Sequence, residues 1–243
     1  MNNIKNILLA LLLLTLMGCN STETQTQSNT NQENTHEQSD TIDYKSQFIN
    51  KANCHQIIDN EFIHICYDHK LKAAKSVAYT LDGDLMNDPN IEKRPSFYTE
   101  KSIDKRYRIS TTDYINSGYD RGHLAPDAAF DWSEESLNAV YTLANIIPQA
   151  PQVNRNMWTQ IEKFARDKAV ELGELNVINV VKYGKQSKRI GKNKMAVSRG
   201  FYKVLYNDEQ NYKECFYYAN KLNLTSRNDE ISKHDVNCNE VSN

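Results

Sequence analysis

The chain begins with an apolar run that is followed by a long polar one. Ile7 to Met17 is almost wholly apolar and ends at Gly18. This pattern is typical of a signal peptide over residues 1–18, and the run is too short to span a bilayer permanently. The residues that follow are mainly Ser, Thr, Asn, Gln and Glu, which cannot bury enough apolar surface to offset the loss of chain entropy. We therefore expect a disordered tether over residues 19–42 and a single domain over residues 43–243.

Segments with strand character stand near both ends of this domain. Phe62–Tyr67 and Ser76–Leu81 are rich in β-branched and aromatic residues. Leu175–Val181, Ala196–Tyr206 and Cys215–Tyr218 return to the same character. Strands, then helices, then strands favour an α+β fold with a central antiparallel sheet flanked by helices.

Helical periodicity lies between the two groups of strands. Glu134–Ala144 has the pattern of a helix, with Ser133 placed as its N-cap. Asn154 to about Leu172 predicts a second, longer helix, because its apolar residues recur at helical spacing. Residues 82–118 are polar and irregular instead, and long ordered loops of this kind are often functional.

The charge balance differs from that expected of a protein that simply coats DNA. The whole chain carries a net charge of −2. Residues 1–42 contain one Lys and four acidic residues, so residues 43–243 carry a net charge of +1. A strongly basic total would be expected of a DNA-coating protein, although a local basic patch is compatible with this value.

The first of five cysteines lies directly after the apolar run. Leu-Met-Gly-Cys, ending at Cys19, resembles a bacterial lipobox, in which the cysteine carries the lipid. The alternative is ordinary cleavage near Gly18 that leaves a free thiol. We favour lipidation, and with it an exported protein anchored to the membrane of the cell envelope. Asn20 is not the aspartate associated with inner-membrane retention in enteric bacteria, so the outer membrane or cell surface is expected.

The other four cysteines can pair in three ways. Proximity in sequence favours Cys54–Cys66 and Cys215–Cys238, and each bridge would contribute about 3 kcal/mol in the chain-entropy model. The alternative is buried free thiols, which are less expected in an exported protein.

The segment YDRGHLAPDAAF, Tyr119–Phe130, groups four polar or conformationally special residues before it turns apolar. His123 can accept a proton near neutral pH, and Gly122 allows the backbone to turn or to lie close to another group. Arg121 offers a planar fork that suits phosphate or carboxylate, and Asp120 can orient a neighbour or pair with an arginine. Taken singly, these residues are equally consistent with an exposed histidine and a solvated ion pair.

A second set of polar residues follows along the longer helix. Asn154, Glu162 and Arg166 stand eight and four residues apart, which places them along one slowly drifting face. The oxygens suit Mg²⁺ and the guanidinium suits a phosphate. Alone, the set is as well explained by an N-cap at Asn154 and an i,i+4 salt bridge.

Together the two segments are a far more specific signal of function than either segment is alone. DRGH, a helix, NIIPQ and then N-R-N-x-W-x-x-x-E-x-x-x-R follow one another in the chain. This order resembles the DNA/RNA non-specific endonucleases, a family with a ββα-metal (His-Me finger) active site. The resemblance runs from about Lys75 to Tyr218. It implies a Mg²⁺-dependent endonuclease, with Mn²⁺ as a substitute, that hydrolyses phosphodiester bonds regardless of sugar or sequence and leaves 5′-phosphate ends.

The resemblance also implies a role for each matching residue. His123 corresponds to the general base that activates water. Asn154 corresponds to the direct protein ligand of Mg²⁺, and Glu162 to the glutamate that holds the metal through water. Arg121 and Arg166 correspond to arginines near the phosphate.

Four further positions complete the implied site. Arg94 corresponds to an upstream arginine that stabilises developing charge, with Lys93 as its rival. Asp120 and Gly122 support the site from within DRGH, and Asn145 supports it from behind.

The expected partners follow from this reading. They are DNA, with RNA as an open second substrate, and a membrane through the lipid on Cys19. The DNA would be extracellular or incoming, and a homodimer is an open alternative because family members are often dimers. A surface lipoprotein that binds DNA without cutting it is the competing function. A purely structural envelope lipoprotein is a third, but it leaves the polar helix face unexplained.

Overall fold

The computed structural model describes residues 43–87, 90–225 and 228–242. The expected signal peptide, Cys19 and the expected tether lie outside these residues. Within the described ranges, no helix is both long enough and apolar enough to cross a membrane.

A six-stranded sheet forms the centre of the fold, and all its neighbouring strands are antiparallel. The strands of the described chain are β1 Gln56–Asp59, β2 His64–Asp68, β3 Ala73–Asp82, β4 Asp120–His123, β5 Ile146–Gln149, β6 Glu174–Lys182, β7 Arg189–Ile190, β8 Met195–Ala196, β9 Gly200–Asn207 and β10 Tyr212–Ala219. The central sheet has the order β1-β2-β3-β6-β9-β10, while β4–β5 and β7–β8 form separate pairs. The expected α+β class with a central antiparallel sheet is confirmed.

Three α-helices and several single turns surround the sheet in the described residues. The helices are α1 Tyr44–Phe48, α2 Glu134–Val140 and α3 Trp158–Leu172. A π-helical turn, Val153–Met157, leads directly into α3. The 3-10 turns are Leu85–Asn87, Lys105–Tyr107, Thr111–Tyr114, Asp127–Ala129, Leu143–Asn145, Ile231–His234 and Cys238–Glu240.

The two faces of the sheet bury different elements, because side chains alternate along each strand. Val177 and Phe201 belong to the large core beneath α3, whereas Ile178 and Val204 belong to a smaller core on the opposite face. That smaller core also holds α1 and the end of the chain, where Val241 packs. The sheet therefore separates α3 from α1.

Both expected disulfides are present, and their cysteines belong to the smaller core or pack against it. Cys54–Cys66 has a Cα–Cα distance of 5.1 Å and ties the start of the domain to β2. Cys215–Cys238 has a Cα–Cα distance of 5.3 Å and ties the end of the chain to β10. The bridges therefore fix both ends of the domain on the face opposite α3.

A long excursion between β3 and β6 carries the remaining elements. These two strands are neighbours, paired from Ser76–Val180 to Asp82–Glu174. Between them lie β4, β5, α2 and α3, and the Gly83 amide donates to the Gly173 carbonyl at 2.7 Å where the excursion begins and ends. Gly173 ends α3 with φ +81, a conformation that glycine adopts without strain.

Several expected boundaries are wrong, each for a local reason. The helix from Glu134 ends at Val140, because a separate 3-10 turn is capped by the Thr142 side chain. The expected strand Ala196–Tyr206 is two strands, because β8 pairs with β7 in a separate sheet and the chain enters the central sheet only where β9 begins, at Gly200. Strands β1 and β5 were not expected.

Candidate active site

The DRGH segment forms β4 and not a turn, which leaves close approach to another group as the role of Gly122. It pairs with β5, with Arg121 opposite Pro148 and His123 opposite Ile146. A Cβ on Gly122 would meet the side chain of Gln149, which is fully buried, at 2.0 Å, so glycine leaves the space that this side chain occupies. The two strands and α3 give the ββα arrangement that the resemblance implied.

Asn145 holds the chain immediately after His123, from the buried side. Its side-chain oxygen accepts a hydrogen bond from the Ala125 amide at 2.9 Å. Its side-chain nitrogen donates to the carbonyls of Ala125 at 2.9 Å and Val140 at 2.8 Å. The fully buried amide thus satisfies three backbone groups, which fits the expected supporting position.

His123 lies in an aromatic environment that disfavours its charged form. Its ring centroid is 5.4 Å from that of Phe97 and 4.9 Å from that of Tyr141. Its Nε2 atom is buried and has no hydrogen-bond partner among the described residues. Burial lowers the pKa of His123 to about 4, so the imidazole is neutral at neutral pH and can accept a proton.

Asp127 lies next to this histidine and is held by two partners. The Tyr141 hydroxyl donates to Asp127 Oδ2 at 2.9 Å, and Arg94 Nε lies 3.2 Å from the same oxygen. The negative charge of Asp127 raises the pKa of His123, against the larger effect of burial. Asp127 therefore connects Arg94 and Tyr141 to the histidine.

The structure distinguishes the two candidates for the upstream cation. Arg94 Nη2 lies 2.8 Å from Asp131 Oδ2, in addition to its contact with Asp127. Its positive charge also acts on His123, whose pKa it lowers. Lys93 is exposed. Arg94 is thus the member of the pair that is built into the site.

The π-helical turn before α3 brings Asn154 to β4. Its Nδ2 donates to Asp120 Oδ2 at 3.2 Å. The same carboxylate receives two hydrogen bonds of 2.8 Å from the guanidinium of Arg155. Asn154 is therefore not an N-cap, and Asp120 pairs with Arg155 and not with the neighbouring Arg121.

Glu162 lies on α3, one turn after Trp158 and one turn before Arg166, and is partly buried. Burial raises the pKa of Glu162, while the positive charges of Lys203 and Arg166 oppose that rise. The negative charge of Asp127 acts on Glu162 as it does on His123. The structure thus brings the histidine and the helix glutamate into one electrostatic environment.

Arg121 lies at the solvent side of this environment. It is exposed, and its guanidinium carbon is 5.0 Å from the ring centroid of Phe97, which also packs against His123. An exposed guanidinium beside the histidine is free to meet an anion from solvent.

The donor atoms present fit Mg²⁺. Because the nitrogen of the Asn154 amide is bound to Asp120, its oxygen is oriented away from that carboxylate. Glu162 supplies further oxygens. Among the described residues, no group of three or more His, Cys, Asp or Glu could hold a metal ion. An amide and a carboxylate suit a hard cation that keeps most of its waters, and so Asn154 and Glu162 would hold it.

Sequence reasoning missed four residues that belong to this region. They are Asp127, Tyr141, Arg155 and Lys203. The sequence gives only a weak signal for Asp127, which stands four residues after the candidate base in the segment APDAAF. A carboxylate at such a position is easily interpreted as a surface charge. Nothing in the sequence around Lys203 distinguishes it from a solvated lysine on a strand.

Residues 43–243 match the family model described as DNA/RNA non-specific endonuclease, and the chain belongs to this family. Human mitochondrial endonuclease G is 31% identical over 160 residues, which cover 62% of this chain and 54% of that protein. A nuclease of Nostoc sp. is 29% identical over 123 residues, which cover 50% of this chain and 44% of that protein. The chain thus spans about half the length of the curated relatives it matches.

The fold is also similar to a solved structure, that of the EndoG/EndoGI complex. The TM-score is 0.66 at 23% sequence identity, and the match covers 74% of this chain and 80% of that chain. At this identity the likeness concerns the fold.

Proposed function

We propose that this protein is a metal-dependent endonuclease that hydrolyses phosphodiester bonds in DNA, with RNA as a second substrate. The observation that carries the proposal is the half-buried His123, whose Nε2 has no partner among the described residues, on a strand whose Asp120 also fixes the side chain of Asn154. Family membership supports the same activity.

His123 acts as the general base. Its buried Nε2 has no protein partner among the described residues and suits a water molecule that is to be deprotonated. The water oxygen attacks phosphorus as its proton moves to the imidazole, the bond to the 3′ oxygen breaks, and the 3′ oxygen takes up a proton from solvent. The products then carry 5′-phosphate and 3′-hydroxyl ends.

Cationic groups stabilise the charge that develops on the phosphate. Arg121 is exposed beside His123, and Arg94 is fixed by Asp127 and Asp131. Arg166 adds positive charge beside Glu162. Fixed cations of this kind favour the transition state because they need no reorganisation when charge develops.

We propose Mg²⁺ as the cofactor, with Mn²⁺ as a substitute, held by Asn154 and by Glu162 through water. When bound, the metal supplies Lewis-acid stabilisation of the scissile phosphate. The residues of the chain orient the donors: Asp120 fixes the amide of Asn154, and the helix fixes Glu162.

The decisive test is a plasmid digest with the purified full-length protein. We expect cutting in Mg²⁺, none with a chelator, and none with His123→Ala or Asn154→Ala. His64→Ala is the matched control, because that histidine lies on β2 and pairs with Asp59 on β1, outside the site. Wild-type protein that shifts DNA on a gel without cutting it in Mg²⁺ or Mn²⁺ would instead support the DNA-binding lipoprotein.

We also propose that the protein is exported, lipidated at Cys19 and held at the outer membrane or cell surface, where it meets extracellular or incoming DNA. The lipobox-like Leu-Met-Gly-Cys and the polar segment after it support this location. We expect wild-type protein in the membrane fraction and Cys19→Ala in the soluble fraction. Equal partitioning of the two proteins would contradict the lipid anchor.

A further inference from the structure

One polar patch interrupts the apolar sheet face beneath α3. On β6 and β9 the positions that face α3 include Val177, Phe201 and Leu205, which are fully buried. The exceptions are Asn179 and Lys203, both 0% exposed. They are direct partners across the two strands, so they form a single patch.

The ammonium of Lys203 makes its direct contacts with groups that are not charged. Its Nζ atom donates to Asn179 Oδ1 at 2.8 Å and to the Tyr79 hydroxyl at 3.3 Å. It also lies 4.4 Å from the ring centroid of Trp158, the first residue of α3. Such a cation–π contact is attractive, particularly where water is excluded.

Packing alone does not explain a lysine at this position. Burying an ammonium costs several kcal/mol before its contacts are counted, and a well-packed apolar side chain of similar volume is often as stable. The neighbouring positions on the same face show that apolar side chains fit there. The chain keeps a charged group where its core would tolerate an apolar one.

The contacts of Lys203 reach both halves of the site. On one side, Asn179 accepts from Lys203 and donates through Nδ2 to the Leu124 carbonyl at 2.6 Å. Leu124 directly follows His123. On the other side, Trp158 lies one turn before Glu162 on α3. One buried cation thus touches the groups that fix the histidine strand and the helix of the glutamate.

We propose that Lys203 is a positioning residue of the endonuclease, which acts through Asn179 to fix His123 and through Trp158 to fix the helix that bears Glu162. The inference rests on the proposed function. The positive charge of Lys203 also acts on Glu162.

Two substitutions test the route through Asn179. Lys203→Met removes the ammonium and keeps the length of the side chain. Asn179→Asp keeps an acceptor for Lys203 and loses the donor to the Leu124 carbonyl. We expect each to lower kcat about 10- to 100-fold with KM within about twofold, because a small misplacement of catalytic groups has this effect. The double variant should lose no more than the worse single variant, since both act on one contact chain.

Lys75→Met is the matched control. Lys75 also lies on a strand of the central sheet, but its Nζ donates to the Asn53 carbonyl at 2.9 Å, near the first disulfide. The kcat of Lys75→Met should equal that of the wild type. All rates are measured below the unfolding temperature of each variant, so that kcat refers to folded molecules. A merely structural role would change the unfolding temperature and leave this kcat unchanged.

The outcomes separate this inference from the proposed function. An inert wild type overturns both. An active wild type with folded Lys203→Met or Asn179→Asp at an unchanged kcat overturns the positioning role alone. If Lys203→Met does not fold, Asn179→Asp decides, because it retains the buried partner of the ammonium.

Discussion

The side-chain nitrogen of Asn154 lies 3.2 Å from the Asp120 carboxylate, which joins the start of the long helix to the strand that bears the histidine. The two residues are 34 positions apart in the chain. The bond fixes which way the amide of Asn154 points. A carboxylate that looks like a member of a surface ion pair is therefore an orienting group for the expected metal ligand.

Asp120→Ala should raise the Mg²⁺ concentration that gives half-maximal activity about 10-fold or more, because outer-shell partners of metal ligands have effects of this size. Titration of Mg²⁺ in a nicking assay measures it. Arg155→Ala is the control. It removes the ion pair between Arg155 and Asp120, in which the arginine side chain is largely exposed, but it leaves the hydrogen bond from Asn154 to Asp120. An exposed ion pair contributes at most about 1 kcal/mol. Equal Mg²⁺ requirements in the two variants would contradict the orienting role.

Arg94→Ala should lower kcat about 100-fold, because removal of one preorganised donor to developing charge typically has this effect. It should also lower the free energy of unfolding by about 1–3 kcal/mol, since the Asp131 side chain is only 5% exposed and loses a charged partner. Lys93→Ala, at the exposed neighbour, should match the wild type in both steady-state kinetics and urea unfolding. A larger kinetic loss in Lys93→Ala would reverse the assignment.

The pH dependence of kcat/KM should report the buried state of His123. The base must be neutral, and burial lowers its pKa to about 4. The fall in activity that is caused by protonation of His123 should therefore be centred at about pH 4. A fall centred near pH 6.5, the usual value for an exposed imidazole, would contradict this environment.

The same shift predicts how stability depends on pH. The unfolded chain binds the proton of His123 more tightly than the folded chain, because the folded pKa is the lower one. Protonation therefore favours unfolding: the contribution is fully present above about pH 6.5 and is lost as the pH falls toward about 4. The loss should be about 3 kcal/mol. His123→Phe, which cannot titrate, should lose less stability over this interval in chemical denaturation.

Removal of either disulfide should lower stability without changing chemistry. Cys54→Ala/Cys66→Ala and Cys215→Ala/Cys238→Ala open loops with sequence separations of 12 and 23, and each should cost about 3 kcal/mol. Because the cysteines lie on the side of the sheet away from α3, kcat of the folded variants should be unchanged. Thermal unfolding and steady-state kinetics measure the two effects. A fall in kcat would show coupling across the sheet.

The sequence predicted the elements whose signals are local. Helix α3 is readable because its buried residues recur at helical spacing, and β3 and β6 because they are rich in apolar and β-branched residues. Strand β5 was missed because Pro148 lies inside it, and proline ordinarily argues against a strand. It is tolerated in a pair of only two strands, which leaves one edge free.

The site was predictable only where a motif carried it. His123, Asn154 and Glu162 stand in a spacing that a family resemblance can recognise. The partners of these residues come from other elements. Asp127 contacts Arg94, which is 33 positions away in the chain, and Lys203 contacts Trp158 only because the sheet packs beneath the helix. Such contacts depend on tertiary packing, which no local pattern of residues encodes.

The long excursion between β3 and β6 has a consequence for how the protein acquires its activity. The strand pairs β1–β2 and β9–β10 join residues close in sequence, whereas the β3–β6 pair must close residues 83–173 into one loop. Contacts between distant parts of a chain form slowly, because the chain loses entropy when the loop closes, before the new contacts stabilise the closed state. Every element that bears the histidine, the amide and the glutamate lies within that loop. In a newly made chain we therefore expect the candidate site to assemble only once β3 and β6 have paired.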